Sequence, residues 1–217
     1  MSAAVAAVAT LDTVLERDPV IPVVVLDKAA DAVPLAHALL DGGIGTIELT
    51  LRTPAALTAI ERIAAKVPEI AVGAGTVLSA KQARDAQLAG ASFLVTPGAT
   101  PTLLDALEEV GVPFLPGCAT ASELLALHER GIRRAKFFPA ETSGGTAALK
   151  ALGSVFDGVR FCPTGGITPQ TAPAWLALDN VACVGGSWIA PRAEIAAHEW
   201  DGIEQRAREA AALRAAV

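Results

Sequence analysis

The stretch Thr46-Ile47-Glu48-Leu49-Thr50-Leu51-Arg52-Thr53-Pro54 decides how the rest of the chain reads. Ile47, Leu49 and Leu51 alternate with Glu48, Thr50 and Arg52, the period of a β-strand with two unlike faces. Thr53-Pro54 then has the form of a helix start, an N-cap hydroxyl followed by proline at the first helical position. The same unit recurs in both directions. Apolar, β-branched runs fall at Val20–Val25, Thr46–Leu51, Ile70–Gly75, Ser92–Thr96, Pro113–Gly117, Arg134–Phe138, Val159–Pro163 and Val181–Val184, with helical stretches between them. Thr100-Pro101 and Thr168-Pro169 repeat the Thr-Pro start, while Ser79 with Gln82 and Thr120 with Glu123 have capping-box spacing. Gly42, Gly90, Gly111 and Gly131 sit where helices should stop. Pro34 falls inside the first repeat helix and either kinks it or delays its start.

Eight strand–helix units without a linker predict an α/β fold with a parallel sheet and right-handed crossovers. The expected architecture is a (β/α)8 TIM barrel with an additional N-terminal helix, about Val5 to Glu16, and a C-terminal helix from Ile203 to Ala216. An open doubly wound sheet shares the same local pattern and stays open at this level. Residues 1–217 read as a single domain, with no linker, low-complexity tract or charge block.

Composition narrows the functional classes. Hydrophobic residues make up 52% of the 217 and aromatic residues only 4%, which suits helices packed on buried strands. A net charge of −6 argues against nucleic acid or an anionic membrane surface as a partner. No Lys or Arg precedes Arg17, so the start lacks the basic region of a secretory signal. The uncharged run Ala86 to Leu104 is interrupted by Gly90, Pro97, Gly98 and Pro101 and cannot be a membrane span. Cys118, Cys162 and Cys183 are odd in number and sit in or beside apolar runs, as free thiols do in a reducing cytoplasm. His37, His128 and His198 lack metal-ligand spacing, so no metal site is expected.

The chemistry concentrates at strand ends. Glu48, Thr50 and Arg52 share one face of their strand, and charges on an inward face are costly unless they serve a ligand or each other. A structural Glu48–Arg52 ion pair is the competing reading. Lys136 is the one lysine inside an apolar strand, on the same face as Phe138. Removal of an ammonium from water favours its neutral amine, which can attack a carbonyl carbon. Against this stands a long side chain merely reaching out at a strand end. Thr76, after Gly73-Ala74-Gly75, reads equally as a carboxylate donor or a turn cap. Gly165-Gly166 and Gly185-Gly186-Ser187, after the seventh and eighth strands, expose backbone N–H groups where (β/α)8 proteins bind phosphate.

Several stretches together resemble the class I 2-dehydro-3-deoxy-6-phosphogluconate (KDPG) aldolases, which overlap with the 4-hydroxy-2-oxoglutarate aldolases. They are Ile47-Glu48-Leu49-Thr50-Leu51-Arg52-Thr53, Val72-Gly73-Ala74-Gly75-Thr76-Val77, Lys136-Phe137-Phe138-Pro139-Ala140-Glu141, Phe161-Cys162-Pro163-Thr164-Gly165-Gly166-Ile167 and Gly185-Gly186-Ser187-Trp188. The likeness runs from about Val20 to Pro191 and favours the barrel over the open sheet. It implies that Lys136 forms a Schiff base and that Glu48 transfers protons. It further implies that Arg52 and Thr76 hold the pyruvate carboxylate and that Pro97 and Phe138 line the pocket. Thr164 marks the gluconate-type branch, and Gly165, Gly166, Gly186 and Ser187 take the phosphate. The implied reaction needs no cofactor, and the implied assembly is a homotrimer. Two rivals remain: another phosphosugar-binding barrel enzyme, such as an isomerase or a thiamine-phosphate-synthase-like transferase, and a non-catalytic scaffold barrel. Neither gives a reason for a buried lysine in the sixth strand.

Overall fold

In the computed structural model, residues 10–213 are described. Their strands are β1 (Val20–Val24), β2 (Thr46–Thr50), β3 (Ala71–Gly75), β4 (Phe93–Val95), β5 (Phe114–Leu115), β6 (Gly117–Cys118), β7 (Arg134–Phe137), β8 (Arg160–Pro163) and β9 (Val184–Gly186). All pair in parallel, in the orders β5-β4-β3-β2-β1-β9 and β6-β7-β8. The result is a curled parallel α/β sheet with a helix between successive strands, except between β5 and β6. Its two parts meet twice. On one side the chain passes from β5 to β6 through Pro116, whose carbonyl accepts the Lys136 N–H at 2.8 Å. On the other, isolated bridges join Phe161 to Val181 and Thr164 to Gly185.

Strand parity divides the core. Ile47, Leu49, Leu94, Ala135, Phe137, Phe161 and Val184 pack into the large cluster under the helices. Their sequence neighbours Phe93, Val95, Cys162 and Cys183 join Ile21 and Leu115 in a smaller cluster on the other face of the sheet. Glu48 and Lys136 share the parity of that smaller cluster, so a carboxylate and an ammonium sit among apolar side chains. Val14 and Leu15 enter it from a helix, Leu11–Leu15, capped by the Thr10 hydroxyl. Arg134 at the start of β7 pairs with Asp12 of that helix. The remainder of the expected N-terminal helix, residues 5–9, lies outside the described residues, as do residues 214–216 of the C-terminal one. Within the described residues the latter runs from Trp200 to Ala211.

Several expected boundaries are corrected. The fifth strand, expected over Pro113–Gly117, is two short pieces, because Pro116 has no N–H to give to a ladder. The last strand, expected at Val181–Val184, is Val184–Gly186, with Gly185 and Gly186 in register with Ile21 and Pro22 of β1. Gly185-Gly186 is therefore strand rather than turn. Thr100-Pro101 and the Thr120–Glu123 capping box start helices as expected. Thr53-Pro54 does not: that helix begins at Ala56, and the Thr53 hydroxyl instead donates to the Leu26 carbonyl at 2.5 Å. Thr168-Pro169 likewise forms a turn, closed by Thr168 and Thr171, before a helix of five residues, Ala172–Leu176. Pro34 lies in the first turn of the helix Ala32–Asp41, where its missing N–H is not needed. No helix among the described residues is long and apolar enough to cross a membrane.

Candidate active site

Two of the three charged residues that the strand pattern singled out meet each other. Lys136 Nζ donates to Glu48 Oε1 at 3.3 Å, with Lys136 5% and Glu48 4% exposed. Glu48 thus pairs with Lys136 rather than Arg52. The Phe138 ring lies beside the amine, 5.4 Å from Nζ to its centroid, adding a cation–π face to the ammonium form. Register explains the convergence. Thr50 of β2 lies opposite Gly75 of β3, and Lys136 of β7 lies opposite Gly117 of β6 and Cys162 of β8.

Glycines carve the space. A Cβ on Gly75 would stand 2.0 Å from Glu48 Oε1, so the carboxylate occupies the room that a side chain there would need. A Cβ on Gly117 would meet the Pro97 carbonyl carbon and oxygen at 2.3 Å, which brings the Pro97–Gly98 backbone over the strand next to Lys136. Gly185 does the same for Thr164, whose Oγ1 would be 2.3 Å from an added Cβ. Thr164 itself is buried, and its hydroxyl donates to the Cys162 carbonyl at 3.4 Å. Sequence reasoning passed over Gly117 and did not give Gly75 or Gly185 this space-making role. Their signal, glycine inside a strand, marks a close approach without saying what approaches.

The rim holds the remaining residues. Arg52 lies beyond the end of β2, exposed, and makes no ion pair among the described residues. Thr76 follows β3 with φ +58°, the left-handed region that a β-branched residue enters at a cost. The Leu51 N–H donates to the Gly75 carbonyl at 2.8 Å, so Arg52 and Thr76 stand at adjoining strand ends. Gly165 (φ +106°) and Gly166 (φ +83°) form a turn beside the Phe138 ring. Gly186 is buried at the end of β9, and Ser187 follows it, exposed. The helices beyond these two segments begin at Ala172 and Arg192 and have five residues each. Helix dipoles therefore add little here, and the available donors are backbone N–H groups of the segments themselves. Arg192, at the start of the second of these helices, donates to both Asp27 oxygens at 2.5 and 2.6 Å. That hydrogen bonding holds the Asp27 carboxyl below its ordinary range.

The histidines lie apart from this chemistry, whereas Cys162 neighbours Lys136 across the sheet without an assigned role. His37 is exposed, His128 packs edge-on to Phe156, and His198 stacks on Trp200 with Nε2 3.1 Å from Asp31. No group of three metal-binding side chains occurs among the described residues. All three cysteines are buried free thiols. Burial, with a smaller contribution from Glu123, pushes the Cys118 thiol up to about 12, far from a reactive thiolate.

Known proteins match this chain in sequence and fold. The family model for KDPG and KHG aldolases matches residues 11–206. The 2-dehydro-3-deoxy-phosphogluconate aldolase of Pseudoalteromonas atlantica is 47% identical over 204 residues, covering 94% of this chain and 95% of that protein. The KDPG aldolase of Legionella pneumophila, solved with pyruvate captured at low pH as a covalent carbinolamine intermediate, superposes with TM-score 0.90. It is 44% identical, covering 92% of this chain and 97% of that one. The Zymomonas mobilis aldolase solved with 3-phosphoglycerate gives TM-score 0.87 and 47% identity, covering 93% of this chain and 95% of that one. With an opposed Lys136–Glu48 pair at its centre, the chain belongs to the KDPG and KHG aldolase family.

Proposed function

We propose that the chain is a Schiff-base (class I) aldolase that cleaves 2-dehydro-3-deoxy-6-phosphogluconate to pyruvate and glyceraldehyde 3-phosphate. 4-Hydroxy-2-oxoglutarate, giving pyruvate and glyoxylate, is the second substrate. The observation that carries this reading is the buried Lys136–Glu48 pair at 3.3 Å. A scaffold gains little from a buried ion pair, whose desolvation is costly, and the family match favours a lyase over an isomerase or a transferase. The sheet closes as an eight-stranded (β/α) barrel in one domain, a reading supported by the bridges between β8 and β9.

The geometry suggests the order of events. Lys136 passes a proton to Glu48, and the neutral amine attacks the substrate C2 carbonyl to give a carbinolamine. Glu48 returns the proton as water leaves, forming an iminium. The C3–C4 electron pair then flows into the iminium, giving an enamine, while the C4 hydroxyl loses its proton and leaves as an aldehyde. Protonation of the enamine at C3 and hydrolysis release pyruvate and free the lysine, with Glu48 as the proton carrier. Arg52 and the Thr76 hydroxyl hold the pyruvate carboxylate; Pro97, Phe138 and Thr164 line the chain of the sugar acid. Gly165, Gly166 and Ser187 take the phosphate through backbone N–H groups and a hydroxyl, with Gly186 at the strand end beside them, which suits a dianion meeting a protein of net charge −6. The protein works as a homotrimer in the cytoplasm and requires no cofactor.

Incubation with pyruvate and borohydride is the direct test. Intact mass and peptide mapping should find one reduced three-carbon adduct per chain, on Lys136. An adduct on another lysine, or none, overturns the reading.

A further inference from the structure

Glu141 has no part in this mechanism, yet it is more tightly engaged than an exposed carboxylate need be. Its Oε1 accepts the Trp175 indole N–H at 2.9 Å. Trp175 is 1% exposed and packs against Phe137, the residue after Lys136, with centroids 6.2 Å apart. The Glu141 N–H donates to the Gly165 carbonyl at 3.1 Å. Its side-chain stem lies over Gly166, where a Cβ would meet Cγ at 2.8 Å and Cβ at 2.9 Å.

Two successive glycines at positive φ have many other conformations open to them, so the turn keeps its shape only if its surroundings hold it. One flank is the Phe138 ring edge and Pro139, each 3.3 Å from the place of a Gly165 Cβ. The other flank is the Glu141 stem. A glutamate on the surface normally samples several rotamers, and the hydrogen bond to a buried indole removes that freedom. The far carboxylate oxygen lies 4.0 Å from the place of a Cβ on Gly145, the first residue of the helix Gly145–Gly153. An N-terminal helix dipole favours the charge there.

We infer that Glu141 is a positioning residue for the phosphate end of the substrate, acting through Trp175 to fix the Gly165–Gly166 turn. The inference rests on the assignment of that turn to phosphate under Proposed function. Glu141 touches no reacting atom. Its loss should therefore weaken capture of the phosphorylated substrate and leave imine chemistry alone. Glu141→Gln retains an acceptor oxygen for the indole and removes a negative charge near a dianion, so it should rescue the site.

The experiment compares kcat and KM for the phosphorylated six-carbon keto acid and for 4-hydroxy-2-oxoglutarate. Glu141→Ala should raise KM for the former about tenfold, the scale of one weakened charge-assisted hydrogen bond. Its kcat, and both constants for 4-hydroxy-2-oxoglutarate, should stay near wild type. Glu141→Gln should show a KM at or below wild type. Trp175→Phe should mimic Glu141→Ala, and the double variant should be no worse than either, because one contact is being removed twice. Equal losses on both substrates, or no change in Glu141→Ala while the wild type still favours phosphate, overturn the role of Glu141 alone. A wild type that treats the two substrates alike overturns the phosphate assignment itself, and this inference with it.

Discussion

A thiol as deeply buried as Cys118 makes stability depend on alkali. In the unfolded chain it ionises near its ordinary 9.0, whereas in the fold it stays protonated to about 12. Between those values the unfolded state gives up the proton first, so rising pH favours unfolding. Stability should be insensitive to this group below pH 9 and fall as pH climbs from 9 toward 12. Denaturant melts of wild type and Cys118→Ala across that range would check it: the wild-type curve should slope downward more steeply than the variant's. Parallel slopes would show that the thiol is not the source. At the same scale, Glu48 and Lys136 were legible in the sequence because a charge in an apolar strand violates the expected pattern. Arg52 proved to lie exposed and beyond the strand, which ends at Thr50 rather than Leu51. The glycines at 75, 117 and 185 were illegible as partners, since register across strands decides what a missing side chain makes room for.

Strands and helices share the work of aiming these groups, and β3 illustrates it. Gly75→Ala would put a methyl group 2.0 Å from Glu48 Oε1 and force the carboxylate off Lys136. A displacement on the scale of 1 Å costs turnover about 10²-fold. The helices around β3 are untouched, so melting temperature should change far less than kcat. Gly202→Ala, in the helix Trp200–Ala211 with no neighbour nearer than 3.4 Å to the added Cβ, is the control and should leave turnover unchanged. Unimpaired turnover in Gly75→Ala would mean that Glu48 has another productive position. Helix starts were legible at Ser79, Thr100 and Thr120, where the hydroxyl takes the N–H three residues on and a helix continues directly from it. They were misread at Thr53 and Thr168, because the same hydroxyl can serve a neighbouring carbonyl or another threonine equally well. The bent fifth strand follows from Pro116, and the displaced last strand from glycines that the sequence reading assigned to a turn.

For the molecule as a whole, the repeating strand–helix unit was readable from end to end because each unit carries its own alternation and punctuation. The seam was not. Between β8 and β9 the sheet is joined by isolated bridges, and no local pattern announces pairing between residues so far from a regular ladder. The assembly is a matter for solution measurement. Light scattering or sedimentation should give three times the 22.1 kDa chain mass; a species of one chain mass at working concentration would rule the homotrimer out.

Thr76 carries a consequence for anyone who selects variants of this protein. Its left-handed backbone is comfortable for glycine and costs a β-branched residue on the order of 1–3 kcal/mol. Screening for heat tolerance alone would reward glycine at this position, and the survivors would lose the hydroxyl assigned to the carboxylate of pyruvate. Robustness and turnover therefore pull one codon in opposite directions, and a thermostability campaign that leaves position 76 free to vary will drift toward a sturdier, slower enzyme.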